Sequence, residues 1–421
     1  MLRMAAAGTI VALSVGVPVL PQPAGGRAGS SATAATYPTY RIPAGGLVVK
    51  GHGWGNGIGL SQWGAYGAAA VDGLTSGQIL TFYYPHTHTR TLSTRRVIRV
   101  LLSQSAAAGA SAGVDAVTGL QITAGGVTTT LPRRIAGARV TAWRIRYAGS
   151  SARLQDERGG NWHPRATPAG SDAPEFTAPG NELTVITSTG IDRSYRGGLE
   201  VADSAGQLLA INDVDIEDYV AGVVPNEMSP SWPRAALRAQ AVAARTYATY
   251  EMRHPRSSLW DAYGDGRDQA YGGADTESAA TTAAVEATAG QTRFDNDNRV
   301  VFAAYGAADG GETEPGTVAG EPVDYLPARA DPYDDLEPNS ASAWQATLTR
   351  DAIAVAFPEI GSPRSVTVKG REGRGQWGGR ITLLTVHGTD RSVTVSGASF
   401  AGALGLRSPW WHPTERPNGS S

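Results

Sequence analysis

Residues 215–252 constrain the fold more than any other part of the chain. Asp215-Ile216-Glu217-Asp218-Tyr219-Val220-Ala221-Gly222-Val223-Val224 reads as a short helix. Asp215 is suited to N-cap it, because a carboxylate there accepts an orphan backbone N–H. Acidic residues in the first turn match the positive end of the helix dipole. Pro225 is expected to stop this helix. A longer one is expected from Pro233, a favoured first position, to about Met252, with Pro255 beyond. Leu237, Ala241, Ala244 and Ala248 fall on one stripe. Alanine has the highest helix propensity, and small side chains let another element approach closely. Between the two helices lies Pro225-Asn226-Glu227-Met228-Ser229-Pro230, which carries a glutamate bracketed by prolines and followed by Trp232.

The flanking sequence has a different grain. Val97–Leu102, Val127–Leu131, Val140–Ile145 and Leu183–Ile186 are short β-branched runs separated by Gly, Ala, Ser and Pro, and read as strands. The stretch from Gly149 to Gly180 is polar and rich in turn formers, and reads as a long surface loop. Ala279 to Ala289 reads as a third helix ended by Gly290. Val300–Tyr305 reads as a strand before the turn Asp309-Gly310-Gly311, and Ile381–Val386 alternates as a strand again. The expected class is α+β: a helical hairpin carrying Glu227, packed on β-sheet, with an additional β-rich segment. The 421 residues allow two or three domains. The divisions expected are an N-terminal segment over 35–96, a β-rich segment over 97–205, a core over 206–412 and a disordered tail over 413–421. No internal repeat is present.

Composition excludes several functions. A formal charge of −2 gives no electrostatic reason to bind nucleic acid. With no cysteine, disulfides, thiolate zinc sites and a cysteine nucleophile are ruled out. His86-x-His88 is the only close histidine pair and reads as a polar turn, so no metal and no cofactor is expected. Arg3, the apolar run Met4–Leu20 and Ala32-Thr33-Ala34 have the form of a secretory signal over 1–34. An uncleaved N-terminal anchor is the other reading. After signal removal no transmembrane segment is expected, which points to a secreted, extracytoplasmic protein.

Two segments carry candidate chemistry. Glu227, held against Met228 and Trp232, would be partly desolvated, and desolvation raises a carboxyl pKa toward what a general acid needs. A solvated loop glutamate is the plainer reading. The second segment is Gly51-His52-Gly53-Trp54-Gly55-Asn56-Gly57-Ile58-Gly59-Leu60-Ser61-Gln62-Trp63-Gly64. Glycine at every second position permits positive φ and close backbone approach to a ligand. His52, Asn56, Ser61 and Gln62 beside the flat faces of Trp54 and Trp63 suit sugar rings. A structural glycine turn with buried tryptophans explains the same residues equally well. Asp213, Asp215, Glu217 and Asp218 form an acidic cluster that helix capping mostly explains. Arg238 and Arg245, two turns apart on one helix face, are candidates to pair with acids or to meet a substrate carboxylate, with solvent exposure as the default.

The block Ile216–Met228, with Ser231-Trp232-Pro233 and Ala236–Ala248, resembles the core of the SpoIID family, the stage II sporulation protein D or amidase-enhancer LytB-like domain. The Gly51–Ala65 segment is similar to the same family's glycine-histidine-tryptophan motif, which in many members lies near the C-terminus. Gly310-Gly311-Glu312-Thr313, Val323-Asp324-Tyr325-Leu326, Ser396-Gly397 and Ala403–Ser408 resemble further family landmarks. The resemblance implies peptidoglycan glycan strands as substrate and lytic transglycosylase chemistry, with Glu227 as the catalytic acid and base. His52, Trp54, Asn56, Ser61, Gln62, Trp232, Arg238 and Arg245 are the expected substrate-binding residues. It also implies an alternative, a non-catalytic glycan-binding enhancer of a cell-wall amidase. Asn56 stands where the family motif has a histidine. Ser258–Tyr263 lacks the Cys/His stretch that holds zinc in some members.

Overall fold

The computed structural model describes residues 37–149, 151–166, 172–336 and 338–417. The signal expected over 1–34 and the end of the tail lie outside them. Backbone contacts divide the chain into two compact units, one of residues 68–304 and one of residues 37–67 with 305–417. Seven α-helices occur among the described residues: α1 Gln62–Ala70, α2 Ser76–Tyr83, α3 Ile216–Glu227, α4 Arg234–Arg253, α5 Ala279–Glu286, α6 Arg350–Ala356 and α7 Gly397–Ala403. With many strands, they make an α+β protein. No helix among the described residues is long and apolar enough to cross a membrane.

The 68–304 unit holds two large sheets. One runs Ala262–Tyr263, Val97–Ser105, Gln207–Asp215, Gly198–Ser204, Glu175–Thr177, Gln121–Ala124, Val127–Thr130. The other runs Asn161–Pro164, Ser151–Arg158, Ala142–Ala148, Ser111–Asp115, Glu182–Thr187, Asp192–Arg196. The pairings are antiparallel except Ala262–Tyr263, which lies parallel to Val97–Ser105. The expected strands at 97, 127, 140 and 183 all form. The expected loop over 149–180 does not; it contains Ser151–Arg158, Asn161–Pro164 and Glu175–Thr177. Its polarity misleads because the inward positions of the first strand are Leu154 and Asp156, and Asp156 is fully buried between Arg158 (2.6 Å) and Arg165. A paired charge occupies a position that apolar patterning leaves empty.

Helix α4 is the hub of this unit. It packs against α2, α3, α5 and the strand Gln291–Phe294, and every residue from Ala239 to Thr249 is buried. The expected apolar stripe is thus a helix covered on all sides, which its alanines permit by keeping its cylinder thin. Pro233 sits at the N-cap position, and the helix begins at Arg234. Strand Val300–Tyr305 is a further correction. Only Tyr305–Gly306 pairs as a strand, and Val300 makes a single bridge to Phe294. The run is apolar because it is buried, with Phe302 packed on Tyr247 and Tyr250, and its backbone does not join a ladder.

The second unit is built on an antiparallel sheet of Thr39–Arg41, Pro363–Arg371, Ile381–Gly388 and Ser392–Ser396. A three-stranded sheet places Leu47–Gly51 between Trp344–Leu348 and Trp411–Pro413. Leu47, Val49 and Gly51 face inward at period two. Gly51 must be glycine, since a Cβ there would lie 2.2 Å from the Trp344 ring. Phe400 stacks between Phe357 and Trp411 in the core of this unit.

Candidate active site

Glu227 is the last residue of α3, not a loop residue, because the helix continues through Pro225. A proline so near the C-terminus deprives only the Ala221 carbonyl of its helical donor. Asn226 steadies the last turn by donating from Nδ2 to the Gly222 carbonyl (2.7 Å) and to Thr276 Oγ1 (2.9 Å). At the other end Asp215 caps as expected, accepting the Glu217 N–H at 3.0 Å.

Residues 269–273 run alongside α3 and hold it. Gln269 accepts the Tyr219 hydroxyl (3.2 Å), Ala270 donates its N–H to Glu227 Oε1 (2.9 Å), and Gly272 donates to the Gly222 carbonyl (3.0 Å). Tyr271 donates to Asn212 Oδ1 at 2.8 Å. The approach needs glycine on both sides. A Cβ on Gly222 would lie 2.7 Å from the Tyr271 ring, and one on Gly272 2.5 Å from Asn226 Nδ2. Glu227 is half-buried, with one oxygen fixed by a backbone amide at the edge of a fully buried tyrosine pair, Tyr219 and Tyr271, 4.8 Å apart. Burial is the main cause that pushes both phenols well above their ordinary range, so neither ionises near neutrality.

The other expected site residues of this unit divide sharply. Trp232 is half-buried in the α3–α4 turn, and Arg238 is exposed. Arg245 is fully buried, contrary to the expected exposure. Its Nε and Nη2 grip Glu217 at 2.8 and 2.6 Å, and it donates further to carbonyls of Ala241, Val285 and Gln291. Its donors are turned into the fold, where they join α3, α4 and the end of α5. The acidic cluster is therefore not one capping device. Asp215 caps, Glu217 pairs with Arg245, Asp218 accepts from Asn181, and Asp213 lies in a strand. Asp213 is a second titratable candidate. Burial, then Glu200 and Glu175, push it up to about 7 against the pull of Arg99.

The glycine motif belongs to the second unit. Gly53, Gly55, Gly57 and Gly59 all have positive φ, so the alternation is a left-handed backbone requirement. His52 Nδ1 contacts the Ser342 carbonyl at 2.6 Å, and its Nε2 meets Gln376 Oε1. The imidazole lies 5.0 Å from the Trp377 ring and 5.3 Å from Trp410. The Arg407 guanidinium covers Trp54 at 4.9 Å, and Trp344 Nε1 donates to the Gly53 carbonyl at 2.8 Å. Asn56 is exposed and its Oδ1 accepts the Ile58 N–H. Ser61 and Gln62, expected to meet substrate, are buried instead, and Ser61 gives its hydroxyl to Asp334. Trp344, Trp377, Gln376 and Arg407 escape sequence reasoning because they lie about 290 residues or more from the motif they join. Trp377, a non-glycine residue at φ 59°, leaves no trace in its sequence neighbourhood beyond flanking glycines.

Residues 204–294, wholly inside the first unit, match the SpoIID family, described as Stage II sporulation protein. The chain carries a SpoIID domain. An uncharacterized protein of Brachyspira hyodysenteriae is 37% identical over 146 residues, covering 34% of this chain and 38% of that protein. A protein named Amidase enhancer from Bacillus subtilis is 34% identical over 147 residues, covering 34% of this chain and 19% of its own length. The chain thus spans well under half of these curated relatives. Glu227, Trp232, Arg238 and Arg245 fall within the SpoIID domain, whereas His52, Trp54, Asn56, Ser61 and Gln62 lie outside the matched residues.

Proposed function

We propose that the protein acts outside the cytoplasm on peptidoglycan, cleaving glycan strands as a lytic transglycosylase with Glu227 as its acid and base. The observation that carries this reading is the anchoring of Glu227 inside the SpoIID domain, at a helix end gripped by Ala270, Asn226 and two obligatory glycines. Such anchoring gives the fixed geometry that proton transfer requires. Protonated Glu227 gives its proton to the glycosidic oxygen as the bond from muramic C1 breaks. The substrate's own N-acetyl oxygen relieves the positive charge at C1. Glu227, now a carboxylate, takes the proton of the C6 hydroxyl as O6 bonds to C1, which closes a 1,6-anhydro ring and restores the acid. No water is consumed, and one carboxyl serves both steps. Exclusion of water favours ring closure over hydrolysis, a role that suits Trp232. In the second unit, the half-buried faces of Trp54 and Trp377 beside His52 suit a sugar ring.

A second reading draws on the relative named Amidase enhancer. In it the protein grips glycan and stimulates a cell-wall amidase, and Glu227 is a ligand contact only. Digestion of purified peptidoglycan separates the two. Glu227→Gln keeps the shape but lacks the acidic proton, so release of anhydro-muramyl ends should fall by about 10²–10⁴-fold, with glycan binding retained. Unchanged release would remove Glu227 from the reaction and turn attention to Asp213. If neither form releases product alone and both stimulate an amidase, the enhancer reading replaces the enzyme.

A further inference from the structure

We propose that Asp309, Asp331 and Asp334 bind a hard divalent cation of the calcium or magnesium class, seated against the glycine motif. The three residues are 1%, 2% and 0% exposed, and each offers a carboxylate oxygen within 4.8 Å of the other two. Ionised carboxylates that close repel strongly in a medium of low dielectric. Asp334 is well supplied with donors: the Gly310 and Asp309 N–H groups at 2.9 and 3.3 Å, the Ser61 hydroxyl, and the Asn339 amide at 3.3 Å. Asp331 Oδ1 accepts the Tyr333 N–H at 2.9 Å.

Asp309 is the residue that calls for a ligand. Its Oδ1 accepts the Gly311 N–H at 2.8 Å, while its buried Oδ2 meets no donor among the described residues. Its carboxyl lies within hydrogen-bonding reach of Asp331. Two carboxyls so placed need a positive species between them, a shared proton or a cation. A shared proton serves one pair, whereas a cation serves all three. The nearby guanidinium of Arg380 is committed elsewhere. Its Nη2 donates to the carbonyls of Asp309 (2.5 Å) and Glu312 (2.8 Å), and its Nη1 to Glu314 (2.7 Å) and Glu372 (3.4 Å). An all-oxygen donor set selects calcium, magnesium or manganese over zinc or copper.

The position gives the cation a consequence. A Cβ on Gly53 would meet Asp309 backbone at 3.0 Å, and Trp54 and Ala308 exchange backbone hydrogen bonds. The Asp309–Gly311 turn is therefore the bed on which the His52–Trp54 loop rests. Binding would pin that turn to Ser61 and hold the glycine loop in its left-handed path. The inference is independent of the glycan reading.

The test uses the full chain stripped with chelator, then titrated calorimetrically with calcium, magnesium or manganese and melted at each concentration. One ion per chain is expected, with the melting temperature raised by about 5 °C at a hundredfold excess over Kd. Asp309→Asn and Asp331→Asn should each weaken binding at least tenfold. Absence of saturable binding to the wild-type chain overturns the proposal and leaves the shared proton. Binding of unchanged strength in both variants places the ion elsewhere and also overturns it. Should a variant fail to fold, the wild-type titration still decides.

Discussion

The two units bury charge in opposite ways. Around Arg245, buried charge is answered residue by residue: a guanidinium fork meets Glu217, and carbonyls take the remaining donors. Around Asp309, like charges are gathered together: burial, Asp331 and Asp334 push Asp309 well above the carboxylate range, and burial, against the hydrogen bond from Ser61 and with the charge of Asp331, pushes Asp334 up to about 6. The first arrangement is complete within the chain and serves to lock helices. The second leaves Asp309 Oδ2 with no donor among the described residues, which is where a proton or the proposed ion would act. A buried charge therefore signals architecture or chemistry according to whether the fold itself supplies its partner.

Arg245→Met tests the closed arrangement and should give the largest effect on stability. It strands Glu217 and should cost about 3 kcal/mol or more by denaturant titration. Adding Glu217→Leu should recover most of that loss, because two apolar groups need no partner. A cost below about 1 kcal/mol, or no recovery, would show that the fork is not what joins α3 to α4.

Asp213 carries the open arrangement into the first unit, since its Oδ1 is buried without a partner among the described residues. Its folded pKa of about 7 exceeds the ordinary carboxyl value, so the native state binds the extra proton. Its stabilisation is present below about pH 4 and is lost as pH rises through 7. Asp213→Asn should therefore stabilise the protein at pH 8 by about 1 kcal/mol, with the gain fading by pH 4. A gain that did not vary with pH would detach the effect from ionisation.

The smallest effect concerns Gln240. It is fully buried on α4 with neither amide atom partnered among the described residues. Gln240→Met should be neutral or stabilising by about 1 kcal/mol in thermal melts. A loss instead would mean that the amide meets an ordered water, as Asp309 is inferred to meet an ion.

Local rules made part of this legible. The Asp215 cap, the two helices and the left-handed glycines follow from residue types that act within a few positions of themselves. Long-range substitution hid the rest. Asp156 takes an inward strand position because Arg165 neutralises it, so the stretch around it reads as loop. Pro225 reads as a stop, yet Asn226 and Gly272 support the turn beyond it. Arg245 reads as exposed because its partner lies 28 residues away. Asp309 reads only as part of the Asp309-Gly310-Gly311 turn, because Asp331 and Asp334, which join it in a cluster, come from a later segment. The match over 204–294 covers the helices but not the glycine motif, so the two halves of the candidate machinery rest on different grounds.

The central strand Leu47–Gly51 has both of its neighbours, Trp344–Leu348 and Trp411–Pro413, almost 300 residues or more downstream. During synthesis it must wait, unpaired on both edges, while the whole 68–304 unit is made and is able to fold. Such a strand is a template for pairing with other chains. Its neighbouring glycines and the single Lys50 offer modest protection over that interval. A ribosome that stalls before Trp411 would release a chain whose SpoIID domain is complete and whose second unit is an open edge.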